Sequence, residues 1–546
     1  MSGRLNPIPF VALLAFALPT SAAIFDTYPR QPGIDALHYT FRLTLHDDTD
    51  MIAGEATADF RFILDNVTEL FLDLASVTDA TEGKGMRVLG VTASGQPVHW
   101  VHEGDRLRIA LDAAPAAGQR RQFTVSYEGI PASGLIIGPN DFGERTFFSV
   151  NWPNKARQWL PMIDHPYDKA TSEFMVTAPS HYQVVANGLL QEEADLEDGT
   201  RMTHWKQGVP IASWLNAIGV ARFTSRHFGS VRGVPLQIWV FPQQREAGIA
   251  TFEVPVRQAM EFYSEHIGEY PYEKLGNVEA AGMGGGMEHA SVIFYGQRRV
   301  GMEPATGLVA HEIAHQWFGN SVTESDWDDV WLSEGFATYF TLLTTEHYRG
   351  RDAFVEGLEG SRDRVFSMEE SRPGETVVHE NLADMSQVLS GLQYQKGGWV
   401  LHMLRHQIGT ETFWAGIREY YARYRDSNAS TDDLRQVMEE QSGQELSWFF
   451  DQWLERSVSP VVDGTWRYEA VTNRIAVDLS QTQPGDPYRL NLELGITNGD
   501  GSTAVEPIEM TQKRQRFEIA VEGEPETVVL DPNTWTLIKA SLTRER

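Results

Sequence analysis

The sequence predicts an α+β protein of several domains, with a β-rich N-terminal part, a helix-rich middle and a small β-sandwich at the end. Three observations predict it. From about residue 35 to 225, short apolar runs alternate at period two between Gly, Asp and Pro punctuation, the pattern of antiparallel sheets. From about 226 to 457 the apolar period becomes helical, and after Pro460 the alternation returns. With 546 residues, 42% of them hydrophobic, the chain can fill about three domains of the usual ~100 to 200 residues.

Taken in order, residues 1–23 combine Arg4, an apolar run from Ile8 to Leu18 and the small residues Ser21-Ala22-Ala23, the pattern of a secretory signal peptide. The apolar run is short of the ~20 residues that span a membrane, and no other stretch reaches that length, so no membrane contact is expected after cleavage. Residues 24–225 form the N-terminal β domain, with inward positions at Tyr39, Phe41, Leu43 and Leu45, at Phe60, Phe62 and Leu64, at Leu70, Leu72 and Leu74, and at Leu107, Ile109 and Leu111. The acidic stretch from Gln191 to Gly199 reads as an exposed hairpin tip.

Residues 226–457 carry helical patterns at Phe252–His266, around residue 311, from Trp331 to about Tyr348, and at Gly398–Ile408, Thr412–Tyr424 and Thr431–Ser442. Ser430 followed by Asp432 and Asp433 marks a helix start with favourable charge in its first turn. Phe449 to Leu454 closes this region. Residues 458–546 alternate at Ile475, Val477 and Leu479, at Leu490 to Ile496, and at Phe517, Ile519 and Val521, as in a small Ig-like β-sandwich.

Composition narrows the functions. A formal net charge of -30, from 45 basic and 75 acidic residues, argues against binding nucleic acid or anionic lipid, which needs clustered Lys and Arg. Zero cysteines exclude disulfides and lipid attachment, and suit a bacterial periplasmic or secreted enzyme. No obligatory protein partner is evident.

The chemistry is concentrated in His311-Glu312-Ile313-Ala314-His315, followed after eighteen residues by Glu334. On a helix, positions i and i+4 lie one above the other, so His311 and His315 can aim at one metal ion. Leu308, Val309, Ala310, Ile313, Ala314, Trp317 and Phe318 make the segment apolar on most sides, and charge buried there needs a partner. Gly319-Asn320 can end this helix, and Glu334 falls in the first turn or two of the next. Three ligands without cysteine leave a fourth position for water, and Glu312 stands where it can take that water's proton.

H-E-x-x-H-x18-E with Trp331-Leu332-Ser333-Glu334-Gly335-Phe336-Ala337 resembles the zinc aminopeptidase group of the gluzincins, typified by aminopeptidase N. Gly285-Gly286-Met287-Glu288-His289 is similar to that family's G-x-M-E-N motif, which implies that Glu288 binds the substrate's free α-amine and that Gly285, Gly286 and Met287 pair with the peptide as an added strand. Tyr394, in Tyr394-Gln395-Lys396-Gly397 and 82 residues beyond Glu312, matches the family's oxyanion-binding tyrosine. Ala156-Arg157-Gln158-Trp159-Leu160-Pro161 with Asp164, Pro166 and Lys169-Ala170-Thr171 resembles a block of the family's N-terminal domain, and Gly268-Glu269-Tyr270-Pro271-Tyr272 an entry landmark of its catalytic domain.

The resemblance implies a thermolysin-like α/β catalytic domain, one zinc ion per chain held by His311, His315 and Glu334, catalysis by Glu312 and Tyr394, and peptide substrates with a free N-terminus. Large relatives continue into a helical domain, whereas this chain stops at Arg546, so a more open site is expected, with nothing left to clamp a peptide's C-terminus. Two departures bear on the amine. Phe148 to Pro153 offers no second acidic anchor, only Asn151, and His289 stands where the family has Asn; no catalytic role is assigned to it. The rival readings are a thermolysin-like endopeptidase and an inactive, peptidase-fold binding protein. The same resemblance admits an epoxide hydrolase side activity, for which no residue speaks.

Overall fold

The computed structural model describes residues 26–302 and 305–545; the expected signal peptide, residues 1–23, lies outside them. The N-terminal region is built on an eight-stranded sheet ordered 189–195, 200–211, 170–179, 34–44, 52–62, 120–130, 85–93 and 96–97, with smaller sheets beside it. Its alternation places Tyr39, Phe41, Leu43, Phe60, Phe62, Phe123 and Val125 inside. Not every pairing is antiparallel as the alternation suggested. Ile34–Thr44 runs parallel to Ala170–Pro179, a geometry that needs a long crossover, and the intervening strands supply one. Leu64 lies beyond its strand and is exposed, and the acidic hairpin is mostly strand, with only 196–199 as its tip.

The middle region places helices against a mixed five-stranded sheet ordered 224–231, 234–240, 275–280, 292–296 and 286–287. Helix α1 (Arg245–His266) is the crossover between two parallel strands of that sheet. It packs on α2 (Thr306–Ala314), which packs on α3 (Trp331–Arg349). Then follow α4 (Arg351–Ser371), α5 (Gly397–Ile408), α6 (Thr410–Tyr424), α7 (Thr431–Ser442) and α8 (Ser447–Leu454). The Ser430 cap is present: its hydroxyl and the Asp433 carboxylate bond reciprocally to each other's backbone N–H.

Helix α4 lies outside the helical patterns read from the sequence, although Phe354, Leu358, Ser361 and Val365 fall on one face. Its 21 residues include Gly357 and Gly360 and many charges, and it follows α3 after only Gly350, at φ +88. Helix α2 is shorter than expected: regular helix stops at Ala314 and His315 is its C-cap. Gly319, at φ +105, then lets the chain turn, and Asn320, Ser321 and Val322 donate N–H bonds back to the His315, Gln316 and Trp317 carbonyls. The C-terminal region is a sandwich of a four-stranded and a three-stranded sheet. Among the described residues, no helix is long and apolar enough to cross a membrane.

Candidate metal centre

His311 lies on α2, His315 at its end and Glu334 in the first turn of α3, and the packing of these helices brings the three together. His311 Nε2 and His315 Nε2 are 3.2 Å apart, and each is 3.3 Å from Glu334 Oε2. Ligands at ~2.0 to 2.1 Å around a tetrahedral ion stand about 3.3 Å from one another, so this near-equilateral triangle fits one face of such a shell. The ring orientation of His315 agrees: its Nδ1 faces the Phe318 carbonyl at 3.2 Å and Ser333 Oγ at 3.1 Å, which leaves the Nε2 lone pair to the centre of the triangle. Of the two histidines, His311 is the one reached from outside, with 19% of its side chain exposed.

A second triad overlaps the first, because carboxylate oxygens of Glu288 and Glu312 and a ring nitrogen of His315 lie within 4.8 Å of one another. Three carboxylates thus crowd two imidazoles in a buried space. Burial pushes Glu312 well above the usual carboxylate range, and Glu288 pushes it further. Burial likewise lifts Glu288 to about 7 against the pull of His315. Glu334 goes the other way: burial would raise it, but His315 and His311 outweigh that and hold it at about 2. Burial lowers His311, whereas Glu288 and Glu334 overcome burial at His315 and raise it to about 10. The cluster carries more negative than positive charge, and a cation completes it.

Tyr394 sits in a π-helical turn (Leu392–Lys396) leading into α5, with its ring stacked over His311 at 6.0 Å between centroids. Burial first, and then the negative charge of Glu334, drive the pKa of its hydroxyl upward, so it stays a protonated donor.

Gly286–Met287 forms the edge strand of the sheet, paired on one side with Tyr295 and Phe294, so one edge is free for another strand. The structure divides the glycines expected to admit a peptide. Gly285 faces open space, while a Cβ on Gly286 would lie 2.2 Å from the Glu312 carboxyl carbon, so Gly286 makes room for Glu312 itself. Met287 is buried in the core, and only its backbone reaches the edge.

Beside the motif, Gln316 went unread in the sequence, and Asn320 was read only as part of the helix end. Gln316 Nε2 and Asn320 Nδ2 both donate to the Glu288 carbonyl, at 2.9 and 2.6 Å, and Gln316 Oε1 accepts from Ser291 N at 2.9 Å. They tie the strand bearing Glu288 to the turn after His315. A polar residue at position 316, inside an apolar run, was the available signal.

His289 is wholly buried beside the Phe294 ring, with neither ring nitrogen bonded, and burial lowers it to about 3: a neutral packing residue. Asn151 is no amine anchor, since its amide joins Trp159 Nε1 and the Asn216 carbonyl. The Arg157 block is structural too. Arg157 Nε bonds Asp164 at 2.9 Å, and Lys169 Nζ donates to the Asn320 and Ser321 carbonyls at 3.0 and 2.7 Å, joining the N-terminal region to the turn behind the metal ligands.

Residues 35–215 match the peptidase M1 N-terminal domain and residues 251–453 the peptidase family M1 domain. Among curated proteins, the glutamyl aminopeptidase of Bitis rhinoceros is 27% identical over 88% of this chain and 53% of its own length. That of Homo sapiens is 29% identical over 65% of this chain and 39% of its own, and aminopeptidase M1 of Arabidopsis thaliana 26% identical over 85% and 54%. This chain therefore spans about half or less of the length of these relatives. A solved M1 zinc metallopeptidase from Deinococcus radiodurans superposes with a TM-score of 0.67 and 26% identity, covering 79% of this chain and 96% of that one.

Proposed function

Because this chain belongs to peptidase family M1, we propose that it is a zinc-dependent aminopeptidase that removes the N-terminal residue of peptides. One observation carries this reading: a triangle of His311, His315 and Glu334 with tetrahedral edges, and against it a further buried carboxylate, Glu288, fit for a substrate ammonium. The charges support it, since a divalent ion and an α-ammonium together bring three positive charges to Glu288, Glu312 and Glu334. One zinc ion per chain belongs to this proposal.

When bound, zinc supplies a Lewis acid that acidifies water and polarises a carbonyl oxygen. The protein does the rest. Glu288 holds the α-ammonium by a charge-assisted bond, which fixes the first residue and selects free N-termini. The free edge at Gly286 aligns the extended backbone. The Glu312 carboxylate takes the proton of the attacking water and delivers it to the leaving amine. The Tyr394 hydroxyl donates to the oxygen on which negative charge develops.

The test uses zinc-loaded full-length chain with aminoacyl fluorogenic amides and with peptides whose N-termini are free or acetylated. We expect cleavage of the free forms, loss on chelation, recovery with zinc, and at least ~100-fold slower cleavage of acetylated peptides, given the strength of a buried charged hydrogen bond. Equal cleavage of both forms would assign an endopeptidase, and binding without turnover an inactive fold. Export to the periplasm or medium is part of the same proposal, supported by the pattern of residues 1–23 and the lack of cysteine. Recovered protein should begin after Ala23; an intact Met1 in the cytoplasm overturns that part.

A further inference from the structure

A cavity of about 1160 Å³ is lined by His311 and Tyr394 and continues between α3 and α4. One wall is a single stripe of α3, through Thr338, Thr341, Thr345 and Arg349; the other is a stripe of α4, through Ala353, Gly357, Gly360 and Arg364. The small residues on α4 are what open the groove. Its charge is opposite to that of the protein: in a chain of net charge -30, the groove presents Arg299, Arg349 and Arg364 against a single carboxylate, Glu356. Arg299 donates to the Gly284 carbonyl at 2.8 Å, but Arg349 and Arg364 make no ion pair or hydrogen bond among the described residues. Guanidinium groups without a carboxylate partner on so acidic a protein are open to an anionic ligand.

We propose that this groove binds the part of a peptide that follows the scissile bond and selects peptides carrying carboxylates there, with Arg364 and Arg349 as specificity-determining residues. This deepens the aminopeptidase reading and rests on it. The positions of the two arginines set the register. Gly357 lies against Leu342, since a Cβ there would be 2.5 Å from Leu342 Cδ2, and the helices run antiparallel through the Gly350 turn. From that contact Arg364 is about two turns toward Glu334, and Arg349 about two turns away from it, so they stand roughly 20 Å apart along the groove. An extended chain advances about 3.3 to 3.5 Å per residue, so that gap corresponds to about six residues. Arg364 therefore meets a carboxylate one to three residues past the scissile bond, and Arg349 one near the end of a longer peptide. The carboxylate can come from a side chain or from the C-terminus of a short peptide.

The experiment compares kcat/KM, on zinc-loaded full-length chain, for amidated nine-residue peptides with Gln throughout, with Glu at the third and fourth residues, or with Glu at the last two. A tetrapeptide with free or amidated C-terminus separates the two carboxylate sources. We expect each Glu peptide to be preferred over its Gln match by about three- to fivefold, the range of one or two exposed ion pairs. Arg364→Gln should erase the preference for the near pair and Arg349→Gln that for the far pair, and about 0.5 M salt should erase both by screening. Equal rates for Glu and Gln peptides, or preferences that survive the arginine substitutions, overturn the proposal. Failure of the aminopeptidase reading looks different, because then the Gln peptide is not cleaved either. Fluorescence anisotropy of the same peptides, labelled, decides that case: tighter, arginine-dependent binding of the Glu forms supports the groove, and equal binding overturns it.

Discussion

Two buried polar clusters lie close together in this molecule and are built on opposite rules. In the N-terminal region, every oxygen of the Asp164 carboxylate has a partner in the chain: Oδ2 accepts from Arg157 N and Nε at 3.1 and 2.9 Å, and Oδ1 from Ser213 Oγ at 2.8 Å. Burial would lower the Arg157 pKa, but Asp164 and Asp73 raise it, so Arg157 stays charged. At the metal centre, Glu288 and Glu312 have no Lys or Arg partner among the described residues, and Glu334 is shared by two imidazoles. A polar cluster that completes itself fixes the fold around it; one that is short of positive charge is built to receive it.

Substitutions can break or sharpen this contrast. The largest effect is expected from Glu312→Gln, which keeps the shape and the three ligands but removes the proton acceptor: turnover should fall by about 10³-fold or more, with zinc retained by metal analysis. Asp164→Ala should do the reverse. Leaving Arg157 buried without its partner should cost about 3 to 5 kcal/mol of stability in denaturant titration, while the folded fraction keeps its turnover. If this substitution instead removes zinc, the two clusters are not separate. Tyr394→Phe should lower kcat by about 10²- to 10³-fold with little change in KM, as for loss of one donor to a developing oxyanion; a change confined to KM would place Tyr394 in binding rather than in chemistry.

The smallest effect tests an intermediate case. Glu279 has one oxygen bonded to Phe241 N at 2.9 Å and the other without a partner, and burial raises its pKa to about 8. A raised carboxyl favours the fold fully below its ordinary value of 4.5, and that contribution is lost as pH rises through 8. Scanning calorimetry at pH 5 and 8.5 should therefore show a fall in wild-type Tm that is a few degrees smaller in Glu279→Gln. Superimposable pH profiles would mean that Glu279 titrates normally.

Much of the site was legible because it is local. The spacing of His311 and His315 follows from helix geometry, and the buried character of their helix from its apolar neighbours. What escaped was what depends on a neighbour. The side chain of Asn151 is taken up by Trp159 and the Asn216 carbonyl, and Gly286 must lack a side chain because of where Glu312 ends up.

By itself, then, the sequence determined the order of strand and helix regions and singled out His311, His315 and Glu334 as candidate ligands, since residue periodicity and an i, i+4 pair act over a few ångströms of the same chain. Only the tertiary structure decided that Glu334 meets both imidazoles within 3.3 Å, that Glu288 and Tyr394 border the same space, and that Arg349 and Arg364 face one groove. Those placements arise from the packing of α2, α3 and α4 on one another, and side chains far apart in sequence acquire a shared electrostatic environment only once that packing removes the water between them.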